Sequence, residues 1–285
     1  RIPRCAGFFM EAGMRRPRVS VILPVYRAQA TLPRALASVA RCGLPPGLVE
    51  IVIASDDGID YRPLLPDTQR FALTRPGPLR SGPGAARNRA LRLARGEVIA
   101  FLDADDSWAP GYLAALLPLA RRHGAAFGRT VVTDRGRELL RLGPEGGRLT
   151  LADLGRAGGS FHPVLARAHL TPFTDLPAQD VRHAAELLAR LGGAAPLAAT
   201  DYRLHLRPRS LTAAGDFARR IARAYDRHIA GIEADRCHDP AMRERLAGVF
   251  RDKARLNAAY LREARPGEGF YPWLARHLSH KRAEA

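Results

Sequence analysis

Three carboxylates follow directly on a short apolar segment of the chain. The apolar residues are VIAFL at 98–102, and Asp103, Asp105 and Asp106 stand within the next four positions. An apolar run of this length between polar residues predicts a strand that is covered on both faces. Ligands of open α/β sheets lie beyond the carboxyl ends of the strands, so we expect chemistry at this point.

The spacing of Asp103 and Asp105 favours a hard divalent cation. Carboxylates this close repel each other unless a cation is present, and their oxygen atoms suit Mg²⁺ or Mn²⁺ bridging to the phosphates of a substrate. The alternative is an acidic turn that caps the following helix, predicted over residues 110–123, because Asp and Ser are good N-cap residues. The acidic run alone leaves both interpretations open.

Strands and helices alternate around the acidic run. We predict helices over residues 31–42, 81–95, 110–123 and 180–191, and strands over 19–24, 49–55, 71–74, 98–102, 125–134 and 196–206. This alternation indicates an α/β fold with a mostly parallel sheet flanked by helices. From residue 216 to about residue 265 the chain is strongly helical, which predicts a C-terminal helical extension.

Composition limits the class of protein and its surroundings. The chain has 285 residues, 46% of them hydrophobic, which suits one large α/β domain with a helical annex. Its three scattered cysteines predict neither a disulfide framework nor a zinc site, and a reducing, cytoplasmic location is expected. Residues 1–17 lack the apolar segment of a signal peptide, and we expect a tail in which Met10 or Met14 is a natural start.

The formal net charge of +17 calls for an anionic partner. Almost all of the positive charge is arginine, a bias that a GC-rich genome would also produce. A nucleic-acid-binding protein would show clustered basic residues interleaved with aromatic ones. Here arginine is dispersed and aromatic residues make up 7%, so no nucleic acid is expected, whereas a membrane surface or an acidic glycan is compatible.

Four sequence segments occur in a fixed order before a Gln179-Asp180 pair. They are VSVILPVY at 19–26, EIVIASDDG at 50–58, GPGAARNRAL at 82–91 and GEVIAFLDADDSW at 96–108. In these segments and their order, residues 18–212 resemble the family 2 glycosyltransferases of the GT-A fold. The combination is far more specific than any one segment, and residues 213–285 lie outside it.

The resemblance implies a metal-dependent, inverting enzyme. Such an enzyme moves a sugar from a nucleotide-diphosphate donor, here expected to be UDP-linked, to a hydroxyl of a glycan or lipid-linked acceptor in bacterial surface-glycan synthesis. Mn²⁺ or Mg²⁺ is the implied cofactor. Asp105 would bind this ion, and Asp103 would bind the ribose or a metal-bound water.

The resemblance also implies a nucleotide pocket. Asp56 matches the acidic residue that accepts a hydrogen bond from the base, and Pro24, Val25 and Tyr26 would line the same pocket. Arg87 would steady the diphosphate or the acidic residues, a role that suits its planar, bidentate guanidinium. The alternatives are a plain turn at Asp56 and an ordinary surface arginine at Arg87.

Asp180 is implied to be the catalytic base. It would take the proton of the acceptor hydroxyl while that hydroxyl attacks the anomeric carbon from the face opposite the leaving group. The alternative is an ordinary N-cap of the helix predicted over 180–191. The family has glutamate where Gln179 stands, so a member that binds nucleotide sugars with little or no catalysis is a second interpretation.

Further donor or phosphate contacts are implied at Asp57, Asn88, Asp106, His205 and Arg207. A lone histidine such as His205 is either a metal ligand or a side chain held by hydrogen bonds alone. A rival enzyme class, the nucleotidyltransferases, would carry a glycine-rich loop with a basic residue after the first strand, where Pro24-Val25-Tyr26 stands. A basic protein that binds anionic polymers is the other rival, and it leaves the acidic run unexplained.

These expectations divide the chain into three parts. Residues 1–17 are a tail, 18–212 the transferase domain, and 213–285 a basic helical extension. We expect the extension to hold the enzyme at the inner face of the plasma membrane, where each basic residue near an anionic surface adds about 1 kcal/mol. The alternative is an extension that packs on the core or mediates dimerisation.

Overall fold

A computed structural model describes residues 17–74, 79–144, 147–207 and 217–283. The strands are β1 (Val19–Val25), β2 (Val49–Ser55), β3 (Arg70–Leu73), β4 (Val98–Phe101), β5 (Ser107–Trp108), β6 (Ala125–Asp134), β7 (Arg137–Leu142), β8 (Arg148–Thr150), β9 (Pro163–Ala166) and β10 (Ala194–His205). The helices are α1 (Leu32–Ala40), α2 (Pro83–Leu91), α3 (Tyr112–His123), α4 (Leu151–Arg156), α5 (Gln179–Arg190), α6 (Phe217–Ala234), α7 (Pro240–Glu263) and α8 (Phe270–Ala283).

The sheet joins its strands in the order β3-β2-β1-β4-β9-β6-β10-β5, with β7 on β6 and β8 on β10. Strands β3, β2, β1 and β4 are parallel, whereas β9 is antiparallel to both β4 and β6. The α/β fold is therefore as expected, but the sheet is mixed rather than mostly parallel. The antiparallel strands β5, β8 and β9 have only two to four residues, too few to show a period in the sequence.

Strand β4 is buried on both faces, as its apolar run predicts. Val98 and Ala100 belong to one core cluster, which α1 and α3 complete, while Ile99 and Phe101 belong to a second cluster with α5 and α7. This division follows from the alternation of side chains along a strand. Two cores therefore hold β4 in place, and residues 103–106 emerge beyond its fixed carboxyl end.

The C-terminal helices α6, α7 and α8 share a core with the sheet. Leu246 and Phe250 of α7 and Trp273 of α8 lie in the same buried cluster as Phe101. The extension thus packs on the core, as one of the two interpretations of its sequence expects. The predicted division at residue 212 lies outside the described residues. None of the described helices combines the length and apolar character needed to cross a bilayer.

Candidate active site

Arg87 interacts with two acidic residues that are distant in the sequence. It stands on α2 with 1% of its surface exposed, and its Nη2 donates to Oδ1 of Asp103. Burial lowers the pKa of Arg87, but the charges of Asp103 and Asp180 outweigh this and raise it above its ordinary value. Its Nε and Nη1 are buried without a partner among the described residues. An ordinary surface arginine is therefore excluded.

His162 is a site residue that the sequence did not reveal. It directly precedes β9, its Nε2 lies 3.9 Å from Oδ2 of Asp103, and its ring stacks on Tyr202 with centroids 4.4 Å apart. Burial lowers the pKa of His162 more than Asp103 raises it, so the ring is neutral near pH 7. A histidine next to the end of a predicted strand could have been marked as a candidate site residue. The sequence did not predict strand β9, so His162 was not marked.

Asp180 lies in the first turn of α5 and interacts electrostatically with the same two side chains. The N-cap of α5 is Ala178, in a left-handed conformation at φ 61°, so Asp180 is not the N-cap of the alternative interpretation. Burial raises the pKa of Asp180, but His162 and Arg87 lower it below its ordinary value overall. Asp180 is therefore an ionised carboxylate that shares the positive charge of Arg87 with Asp103.

Asp105 faces Arg207, which follows β10. Nη2 of Arg207 donates to Oδ2 of Asp105, and the side chain of Asp105 keeps 31% of its surface exposed. Burial and the charge of Asp103 raise the pKa of Asp105, whereas Arg207 lowers it. The predicted pair of repelling carboxylates is thus present, and one arginine compensates part of its charge.

Asp103 and Asp105 fit a magnesium or manganese site. Their side chains are 30% and 31% exposed, so both can reach a ligand that enters from solvent. Mg²⁺ usually takes one or two protein carboxylates and completes its shell with waters and substrate phosphates. Two partly exposed carboxylates that repel each other are therefore a sufficient protein contribution, and these residues would hold Mn²⁺ or Mg²⁺.

The carboxylate of Asp106 is buried and hydrogen-bonded within the protein. It is 5% exposed, and its oxygens accept the Tyr202 hydroxyl at 2.9 Å and the His205 backbone N–H at 3.1 Å. Burial, together with Asp105 and Asp103, raises the pKa of Asp106 well above its ordinary value. Asp106 therefore connects the acidic loop to β10, and the donor contact at Asp106 stays a prediction.

His205 is held by hydrogen bonds through both ring nitrogens. Its Nε2 lies 2.8 Å from Oγ of Ser107 and its Nδ1 2.8 Å from Oγ1 of Thr133. Burial, assisted by Arg34 and Arg203, lowers the pKa of His205 to about 4. With both nitrogens occupied the ring has no free ligand atom, so the hydrogen-bonding interpretation holds and the metal-ligand interpretation does not.

Asp56 connects the end of β2 to the start of α2. It is 5% exposed, its Oδ1 accepts the Ser81 N–H and Nη2 of Arg89, both at 3.0 Å, and its Oδ2 accepts the Gly82 N–H at 2.9 Å. A plain turn is excluded by these contacts. A carboxylate offers about four acceptor positions, so the predicted hydrogen bond from a nucleotide base would need the lone pair that remains on Oδ2.

Asp57 and Asn88 are occupied by other parts of the protein. Asp57 accepts the Arg27 N–H at 2.5 Å and the Tyr61 hydroxyl at 2.8 Å. Burial raises the pKa of Asp57, but these hydrogen bonds lower it overall. Asn88 exchanges two 2.8 Å hydrogen bonds with the backbone of Phe173. Both side chains therefore have partners within the protein, and the donor contacts at these positions stay predictions.

The three residues at the end of β1 that are predicted to line the nucleotide pocket differ in how accessible their side chains are. Pro24 does not end the strand, since it pairs with Ala54 and β1 continues to Val25. The side chain of Val25 is buried in the core, which leaves only its backbone for a nucleotide. Tyr26 is 43% exposed, so its ring is the accessible aromatic surface at this end of the sheet.

A lysine of the C-terminal extension supports the loop that carries His162. Lys253 of α7 is 4% exposed, and its Nζ donates to the carbonyls of Ala157 at 2.7 Å and Gly159 at 2.9 Å. Burial lowers the pKa of Lys253 to about 8. The extension therefore positions one wall of the site from behind, which its sequence did not indicate.

Known structures with the same architecture establish the class of fold. The chain superposes on TarS 1–349 of S. aureus in complex with UDP-GlcNAc with a TM-score of 0.64, at 18% identity over 87% of this chain and 76% of that one. A mannosyltransferase of Pyrobaculum calidifontis in complex with GDP-Man and Mn²⁺ gives a TM-score of 0.55 at 20% identity, over 95% and 81%. The fold is the GT-A fold, as the motif order predicts.

Sequence comparison relates part of the chain to a known family. Residues 20–149 match the family described as "Glycosyl transferase family 2". It is 34% identical to the succinoglycan biosynthesis protein ExoO of Rhizobium meliloti, over 38% of this chain and 31% of that protein. It is 28% identical to a GalNAc(5)-diNAcBac-PP-undecaprenol beta-1,3-glucosyltransferase of Campylobacter jejuni, over 42% and 40%. The chain spans less than half the length of these two relatives.

Proposed function

We propose that this chain is a metal-dependent, inverting glycosyltransferase that uses a nucleotide-diphosphate sugar. The observation that carries the proposal is the arrangement of Asp103 and Asp180 around the shared side chains of Arg87 and His162. Sugar transfer requires charge stabilisation of a departing diphosphate and a base for the acceptor hydroxyl. Both kinds of group interact with the same two side chains in this site.

Each residue of the site then has a chemical task. Asp180 takes the proton of the acceptor hydroxyl while the hydroxyl oxygen bonds to the anomeric carbon and the bond from that carbon to the donor phosphate breaks. Arg87 and Arg207 provide positive charge near the departing diphosphate. Mn²⁺ or Mg²⁺ held by Asp103 and Asp105 supplies Lewis-acid stabilisation when bound. Attack on the face opposite the leaving group inverts the configuration.

The proposed donor nucleotide is UDP, and the proposed acceptor is a hydroxyl of a glycan or lipid-linked precursor in bacterial surface-glycan synthesis. Support comes from similar proteins. TarS has been crystallised with UDP-GlcNAc, the Campylobacter relative is named for an undecaprenol-linked acceptor, and the Pyrobaculum structure contains Mn²⁺.

Thermal unfolding with UDP, GDP, dTDP and CDP, each with and without Mn²⁺, tests the donor site. A ligand at 100 times its Kd stabilises a protein by about 2.7 kcal/mol, which shifts the unfolding midpoint by roughly 5 °C or more in a chain of this size. We expect a shift with one nucleotide that needs Mn²⁺ and is lost in Asp105→Asn. Asp60→Asn is the matched control, since that exposed carboxylate pairs only with Arg62 among the described side chains. No shift with any nucleotide would contradict the donor site.

Release of UDP from labelled UDP-sugars separates catalysis from binding alone. We expect turnover that depends on Asp180. A protein that binds UDP with Mn²⁺ but turns over no donor, even with lipid-linked acceptors, would instead support the interpretation as a catalytically weak family member, which Gln179 suggests.

Peripheral contact with an anionic membrane, at the cytoplasmic face, is a further part of the proposal. Helix α6 exposes Arg219, Arg223 and Arg227 at intervals of four residues, which places them on one helical face. Each would add about 1 kcal/mol near an anionic leaflet. Changing all three to Glu should therefore abolish sedimentation with phosphatidylglycerol vesicles.

The control for this experiment makes the same charge change at exposed arginines elsewhere, namely Arg41, Arg92 and Arg122. An equal loss of sedimentation in both variants would show a response to net charge rather than a membrane-facing helix. No sedimentation of the unaltered chain would contradict membrane contact altogether.

A further inference from the structure

The connector between α6 and α7 is unusually rich in side chains that bind metal ions. Its five residues, 235–239, read Asp-Arg-Cys-His-Asp. Asp239 is used by the fold, because it caps α7 by accepting the Met242 N–H at 2.8 Å. Asp235 accepts the Cys237 N–H at 2.8 Å, and Cys237 itself lies outside the group of ligand atoms described next. Asp235 and His238 are therefore the candidate ligands of the connector, and neither belongs to the active site described above.

These two side chains meet a carboxylate of α5. Nε2 of His238 lies 2.7 Å from Oε2 of Glu186, and both side chains are 15% exposed. One ligand atom from each of Glu186, Asp235 and His238 lies within 4.8 Å of the other two. The other oxygen of Glu186 accepts Nε of Arg182 at 2.7 Å, so Oε2 is the atom that points to the connector.

The cavity beside this group contains polar atoms that the protein leaves unsatisfied. The cavity has a volume of about 480 Å³, and Glu186, Asp235, His238, His183 and Gln179 all line it. His183 is only 2% exposed, yet neither of its ring nitrogens has a partner among the described residues. Oε1 of Gln179, a residue 6% exposed, is also unpaired. Buried polar groups without partners are costly, so the cavity is built for a polar occupant and its water.

We propose that Glu186, Asp235 and His238 bind one divalent transition-metal ion of the zinc class. An imidazole nitrogen with two carboxylate oxygens is a set that Zn²⁺ and its neighbours accept, whereas Mg²⁺ and Ca²⁺ prefer oxygen alone. Oε1 of Glu186 is paired with Arg182, so Oε2 of Glu186 and the carboxylate of Asp235 supply the oxygen atoms for the ion. The metal takes the place of the direct His238–Glu186 hydrogen bond, and waters in the cavity complete its shell.

Such an ion would link the segment between α6 and α7 to α5, the helix whose first turn contains Asp180. It would therefore stabilise the packing of the extension on the transferase domain. It would be separate from the Mn²⁺ or Mg²⁺ proposed at Asp103 and Asp105. The scattered cysteines gave no indication of it, because the ligands are carboxylates and a histidine from segments about 50 residues apart.

Titration of the full chain, stripped with chelator, with Zn²⁺ against a fluorescent zinc indicator tests this site. We expect one ion per chain with a Kd that rises at least tenfold in His238→Ala. His277→Ala is the matched control, because it removes another histidine–carboxylate pair, His277 Nδ1 to Glu263 Oε2 at 3.0 Å, that has no third ligand among the described residues. Asp105→Asn should bind Zn²⁺ normally.

A second measurement keeps the test decisive. Far-ultraviolet circular dichroism verifies the folding of each variant, and Glu186→Gln, which preserves size, is measured as an independent loss of a ligand. Zn²⁺ should raise the unfolding midpoint of the unaltered chain but not of Glu186→Gln. Absence of binding, or equal affinity in His238→Ala, Glu186→Gln and His277→Ala, would overturn the site.

Discussion

Asp56 and Asp105 both follow a buried parallel strand, yet the protein uses their carboxylates in opposite ways. Asp56 is nearly inaccessible, and backbone N–H groups and Arg89 occupy its oxygens. Asp105 is about one third exposed and lies beside the like charge of Asp103, with Arg207 as its ion-pair partner. The first carboxylate holds the fold together, whereas the second keeps capacity for a ligand.

The neighbouring arginines of α2 repeat this difference. Arg89 uses both terminal nitrogens, on Oγ of Ser81 at 2.6 Å and on Asp56 at 3.0 Å. Arg87 uses one terminal nitrogen, on Asp103, and its Nε and Nη1 remain unpaired. We therefore expect these two positions of one motif to serve different properties, stability at Arg89 and chemistry at Arg87, and substitutions should separate the two.

Asp180→Asn should show the largest effect, and on catalysis alone. Removing a general base typically costs about 10²–10⁴-fold in rate, so kcat should fall by this factor while the UDP-dependent thermal shift persists. Steady-state UDP release measures the rate, and thermal unfolding measures binding. A kcat within a factor of three of the unaltered enzyme would show that Asp180 is not the base.

Asp56→Asn should affect stability instead. Removing one partner of a buried ion pair costs about 3–5 kcal/mol, because the remaining charge, here Arg89, is left uncompensated. Urea denaturation measures the loss. Asp60→Asn removes an exposed ion pair of the same kind, with Arg62, and should leave the urea midpoint unchanged. Unchanged stability of Asp56→Asn with weakened UDP binding would make Asp56 a binding residue and not an anchor.

Lys253 extends the comparison to a buried positive charge whose hydrogen bonds are made by backbone carbonyls. The pKa of Lys253 is about 8 in the folded protein against 10.5 ordinarily, so between these values the unfolded chain binds more protons and stability rises with pH. Relative to Lys253→Met, the unaltered protein should gain about 3 kcal/mol from pH 8 to pH 10.5. Urea denaturation of both proteins across this range measures the difference, from which tyrosine ionisation cancels. If the unfolding free energies of the unaltered protein and Lys253→Met changed equally with pH, the lowered pKa of Lys253 would be contradicted.

Asp105→Asn should change stability least. The raised pKa of Asp105 means that the folded state binds its proton more tightly. This contribution is complete below the ordinary pKa of 3.8 and is lost as pH rises through the raised value. At pH 7 the variant should therefore equal or slightly exceed the unaltered protein, by less than about 1 kcal/mol because the site is partly exposed. A destabilisation comparable to that of Asp56→Asn would remove the distinction between the two carboxylates.

The fold was largely predictable because its parallel half is encoded locally. β1, β2 and β4 are contiguous apolar runs, each followed by a polar turn, and the order of the motifs specifies the GT-A arrangement. Strand β9 was not predictable in this way. Its four residues form a strand because they pair with β4 and β6, which are distant in the chain, and no local pattern marks them as a strand. His162, at its start, was missed for the same reason.

The surroundings of the site residues were predictable only where the family motif places one charge near another. Asp103 and Asp180 both interact with Arg87, while the roles of these residues stay predictions. Asn88 and His205 differ, because their partners come from remote segments, such as the backbone of Phe173 for Asn88. Whether a polar side chain keeps a free hydrogen-bonding group depends on these remote segments, and the local sequence does not indicate which segments will pack against it.

The ammonium of Lys253 also has a consequence for the synthesis of the chain. A ribosome releases all the acidic residues of the site long before it reaches α7, and domains form as their segments emerge. Until Lys253 arrives, the carbonyls of Ala157 and Gly159 lack their donor, and the loop with His162 has no support from behind. A nascent polypeptide whose α7 has not yet emerged therefore already carries Asp103, Asp105 and Asp180, but it lacks the donor that holds the loop with His162.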